Sequence, residues 1–116
     1  MFVAYAAVAI LLSLALVASA GAKLTQNPRV VEGINGNVGV PLSWFPALAL
    51  AEVAGAIGLI IGLWVPALGI AAGIGVVLYF VGAVAAHVRA HDPQLASPIA
   101  VGLVAVAAIT LRALSL

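Results

Sequence analysis

Ala47-Leu48-Ala49-Leu50-Ala51-Glu52-Val53-Ala54-Gly55-Ala56-Ile57-Gly58-Leu59-Ile60-Ile61-Gly62-Leu63, bracketed by Trp44 and Trp64, reads as a membrane-spanning helix with one carboxylate inside it. The tryptophans are 20 residues apart. A helix of that length rises roughly 30 Å, the thickness of a bilayer's hydrocarbon core, so each indole can sit at one interface. Glu52 then lies about 12 Å below the Trp44 interface, where a lipid-facing charge costs on the order of 2.5 kcal/mol or more. It must therefore face other helices. Steps of three and four from Glu52 reach Gly55, Leu59 and Gly62, so the face carrying the acid also carries small residues that admit a neighbouring backbone.

The composition extends this reading to the whole chain. Of 116 residues, 66% are hydrophobic and 6% charged, and the mean hydropathy is +1.36, which no soluble domain of this size tolerates at its surface. The sequence predicts an integral membrane protein whose partner is the lipid bilayer. Its length suits four spans in one domain, residues 1–116. A net charge of +1, thinly spread, leaves no basic patch and excludes nucleic acid as a partner. The absence of cysteine excludes thiolate metal sites and dithiol chemistry.

The predicted spans cover about 2–22, 45–63, 67–87 and 97–114. Ala18-Ser19-Ala20 resembles a signal-peptidase site, but no basic segment precedes the apolar run, which is read as a span. Lys23 closes this helix and is expected to carry its ammonium outward to the interface. Between spans one and two, Asn27-Pro28 is expected to open a short helix that Gly33 ends, a segment lying in the interface or re-entrant. Val65-Pro66 is too tight a turn for anything but an antiparallel hairpin of spans two and three. Ser97 is expected to cap span four with Pro98 at its first position, and Arg112 to reach outward from its far end. The fold class expected is an all-α, four-helix membrane bundle. Lys23, Arg29 and Arg89 fall on one side and Arg112 on the other, so the positive-inside rule puts the first group in the cytoplasm.

The hairpin makes the surroundings of Glu52 calculable, because residues equidistant from Val65-Pro66 lie at similar depth. Tyr79 is level with Glu52. His87, Lys23 and Arg89 belong to the same end of the bundle, so Glu52, Tyr79, His87, Lys23 and Arg89 form the candidate polar ligand or proton site. Lys23 and Arg89 should be drawn to water, so Glu52 is expected to be neutral and to share its proton with Tyr79 or a ligand carbonyl. Pairing with Lys23 or Arg89 is the alternative. His87 and His91, four residues apart beside Asp92, have metal-ligand spacing but no third ligand, so no metal is expected. No catalytic residues are assigned.

Gly21-Ala22-Lys23-Leu24, Gly39-Val40-Pro41, the Glu52 to Gly62 stretch, and Tyr79-Phe80-Val81-Gly82-Ala83 through His87-Val88-Arg89 occur in an order and spacing that resembles the DoxX-like family of small bacterial membrane proteins. The resemblance implies a four-helix membrane protein of the bacterial inner membrane. The family is named after a subunit of a thiosulfate:quinone oxidoreductase. A binding or accessory subunit of a membrane redox system follows as the expected function, with a quinone- or lipid-like ligand near Glu52, no tightly held cofactor, and no catalytic activity of its own. The expected partners are a second copy, suggested by the small-residue pairs Gly58/Gly62 and Gly69/Gly73, or a soluble redox protein. Two other roles fit the same residues. One is a proton-coupled exporter using Glu52, although small multidrug exporters carry their glutamate in the first span; the other is a structural scaffold.

Overall fold

A computed structural model describes all 116 residues and contains four helices long and apolar enough to cross a membrane. Helix α1 runs Phe2–Leu24; after one turn, α2 (Pro28–Val30), come α3 (Phe45–Ile61), α4 (Pro66–Arg89) and α5 (Ala96–Leu114). Each long helix packs on the next, and α5 closes the ring against α1. The all-α, four-helix architecture expected from the sequence is the one observed.

The polarity is that of a membrane bundle. The buried stripes consist largely of small residues and isolated polar groups: Tyr5, Ala9, Leu12, Ser13, Leu16, Ala20 and Lys23 on α1, and Phe45, Ala49, Glu52, Ala56 and Leu59 on α3. Large aliphatic side chains such as Leu11, Leu14, Leu50, Leu78 and Leu103 point outward, where lipid solvates them as well as protein would. Trp44 and Trp64 are exposed at opposite ends of α3, as the interfacial reading requires.

Three local expectations need correction. Asn27 does cap α2, its side chain accepting from the Arg29 N–H at 3.0 Å, but Gly33 does not end the segment. The chain continues as wide π-helical turns over Val31–Asn37 and reverses at Gly39, whose φ of +83° suits a residue without Cβ. Helix α5 starts at Ala96 behind Leu95 with no side-chain cap, so Pro98 is the third helical residue, still within the turn whose N–H groups lack helical partners. Arg112 turns inward.

The reason for that inward turn lies at the end of α3. Leu59 and Gly62 carbonyls receive no backbone N–H there. The Tyr5 hydroxyl donates to Leu59 O at 2.7 Å and Arg112 Nε donates to Gly62 O at 2.8 Å. An unpaired carbonyl in hydrocarbon costs several kcal/mol, so α1 and α5 supply the donors that water would supply elsewhere. The guanidinium also lies over the Phe2 and Tyr5 rings, 5.4 and 5.5 Å from their centroids.

A candidate ligand site in the α3–α4 wedge

The hairpin register explains why a hollow forms. Pairs equidistant from Val65-Pro66 grow in size with distance from the turn: glycine against glycine at Gly62/Gly69, then Gly55 against Val76, then Glu52 against Tyr79. At Gly62 the backbones nearly touch, and a methyl group added there would strike Gly69 and the Tyr5 hydroxyl. Further along, the side chains push the helices apart. The wedge contains a hollow of about 530 Å³ with Leu16, Glu52 and Val76 buried at its floor. Exposed residues Ala51, Ala54, Gly75 and Leu78 rim its mouth, which therefore opens sideways on the lipid-facing surface.

Glu52 is held from α1. Lys23 Nζ donates to Glu52 Oε1 at 2.7 Å and to Ser19 Oγ at 2.8 Å. The two charged side chains are 7% and 0% exposed, so this is a buried pair at a charge-assisted length. The lysine has not gone to the interface as expected; it continues the inward stripe of α1. The acid's hydrogen-bond partner at Oε1 is thus Lys23, the alternative pairing. Its other oxygen, Oε2, is buried with no hydrogen-bond partner. Tyr79 lines the same hollow beside Glu52.

The other two candidate residues are not part of this cluster. His87 Nδ1 lies 3.0 Å from Asp92 Oδ2, while Asp92 Oδ1 accepts from the Gln94 N–H, so this histidine fastens the α4–α5 connection. Arg89 is exposed and borders a second hollow of about 610 Å³ with Val38, Pro41, Trp44 and Gly82. No group of three His, Asp or Glu residues capable of holding a metal ion exists. Sequence reasoning missed Tyr5 and Arg112 as buried polar residues. The signal was available, since Tyr5 and Lys23 lie on the α1 stripe, and Pro98, Ala105, Ala108 and Arg112 form the equivalent stripe of α5.

A family model described as the DoxX-like family matches residues 7–110, which take in α3 and α4 whole and most of α1 and α5. The chain belongs to the DoxX-like family. No curated protein and no solved structure matches it. The matched region of this DoxX-like protein includes Lys23, Glu52 and Tyr79.

The glycine pairs bear on self-association. Gly58 faces Ala72, Gly62 faces Gly69 and Tyr5, and Gly73 faces Ile109 of α5. These small residues make contacts inside the bundle.

Proposed function

We propose that this protein binds one small, lipid-soluble molecule, quinone- or lipid-like, in the wedge between α3 and α4, and serves a membrane redox system as a binding or accessory subunit. The observation that carries the reading is Glu52 Oε2, a buried acceptor without a donor, at the floor of an apolar hollow that opens toward lipid. Native proteins satisfy nearly all such atoms, and an unmade bond to a charged group is costly. Apolar walls with one fixed polar group are the ordinary composition of a small-molecule site. The redox context rests on the family's namesake. Family membership supports a bacterial inner-membrane location, and the basic residues at the Lys23 end favour placing that end in the cytoplasm.

Gly75 offers a direct test, because it lines the mouth and nothing lies within 4 Å of a Cβ placed there, so a bulky side chain can be built on the rim to narrow the entrance. Wild type and Gly75→Phe are purified from the same membranes and their bound lipids and quinones extracted for mass spectrometry. Wild type should retain a small apolar molecule that the variant has lost. Identical extracts from the two proteins would refute the site.

A further inference from the structure

We propose that the ligand's head is a hydroxyl donor, so that the site selects an O–H-bearing lipid-soluble molecule over its carbonyl or ether counterpart. This rests on the reading above that the wedge holds a ligand, and adds which chemistry it recognises. A carboxylate only accepts, and with Lys23 donating at Oε1 the vacant valence is an acceptor at Oε2. A neutral acid would instead have offered its proton to a ligand carbonyl. The position of Lys23 thus reverses the ligand class expected from depth alone.

The neighbours narrow the choice. Ser19 is occupied by Lys23, and the Tyr79 hydroxyl, although beside Glu52, makes no hydrogen bond to Oε2 within 3.5 Å. The mouth is rimmed by exposed apolar residues, and in hydrocarbon no water is available to supply the bond. Tyr79 can both donate and accept. A ligand hydroxyl beside it can donate to Oε2 and accept from the phenol in one arrangement. A ligand carbonyl could accept from Tyr79 but would set two acceptors against each other at Oε2. The hydroxyl could belong to a reduced quinol ring or to a hydroxylated lipid chain, since both present the same donor on an apolar body.

Matched probes separate these cases. The full chain in phosphatidylcholine nanodiscs is titrated with 4-octylphenol, its methyl ether 4-octylanisole, 1-decanol, and decylhydroquinone against decylbenzoquinone, with binding read from the ligand-induced shift in thermal unfolding. Each hydroxyl probe should bind about tenfold to a hundredfold more tightly than its donor-free partner, the range of one hydrogen bond to a charged acceptor. The preference should collapse to near unity in Lys23→Met/Glu52→Leu, which removes every acceptor at that position without stranding a buried ammonium. A tighter phenol or hydroquinone identifies a ring as the source; a tighter decanol identifies a chain; either supports the donor rule. Equal binding of phenol and ether, blocked by Gly75→Phe, would overturn the donor rule and leave the ligand site standing. If no probe binds, both readings fail.

Discussion

Removing Lys23 should be more damaging than removing the charge of Glu52, and removing both should be less damaging than removing either. In Lys23→Met the carboxylate, 0% exposed, loses its only hydrogen-bond donor. Breaking a buried pair from one side costs about 3–5 kcal/mol. The loss in Lys23→Met should lie in that range. In Glu52→Gln the ammonium keeps Ser19 and sits in the last turn of α1, where a long side chain can swing toward water. Its loss should be smaller, about 1–3 kcal/mol. Lys23→Met/Glu52→Gln has no buried charge and should recover most of the deficit. Unfolding in mixed micelles, followed by Trp44 and Trp64 fluorescence, gives all four corners of the cycle. Single losses below about 1 kcal/mol with no coupling would refute a buried pair and return Lys23 to the interface.

Two further outcomes follow from packing. Gly69→Ala places a methyl against the Gly62 backbone and the Tyr5 hydroxyl and should cost about 2 kcal/mol or more, whereas Gly82→Ala, with nothing within 4 Å, should be neutral or gain up to about 1 kcal/mol; the same micelle assay ranks them, and equal effects would contradict the wedge. Tyr5→Phe leaves Leu59 O without a donor at the end of α3 and should cost about 1–3 kcal/mol, with faster amide exchange over residues 59–65 as the local signature.

The spans and the hairpin register were legible because both follow from rules with little freedom. Apolar runs must be about bilayer length, and a two-residue turn fixes which residues are level, which is why the sequence alone matches Glu52 with Tyr79. The orientation of the basic side chains was less legible. Lys23 and Arg112 stand near helix ends, where reaching outward is the general rule, but each also continues an inward stripe. The stripe prevailed because a specific partner waits inside, Glu52 Oε1 for one and Gly62 O for the other. Such partners are set by the packing of separate helices and leave no local mark in the sequence. The same holds for Oε2, whose lack of a donor depends on every neighbour at once.

The pair of Lys23 and Glu52 is poorly explained as a source of stability. Buried ion pairs often contribute no more than apolar side chains of similar volume, because withdrawing both charges from water offsets their attraction. Apolar residues would also lock α1 to α3, as Leu12, Leu16, Ala56 and Leu59 do in the core. What apolar residues could not do is present an acceptor at the floor of the wedge. Lys23 provides the compensation that allows a carboxylate to exist at that depth, while occupying only one of its two oxygens. On this view Ser19, Lys23 and Glu52 form one device whose output is Oε2. Stability and recognition should therefore separate: Lys23→Met/Glu52→Leu should fold at least about as well as either single variant, yet show no preference between 4-octylphenol and its methyl ether. A doubly apolar variant that kept the preference would place the donor's partner elsewhere, with Tyr79 the first residue to examine.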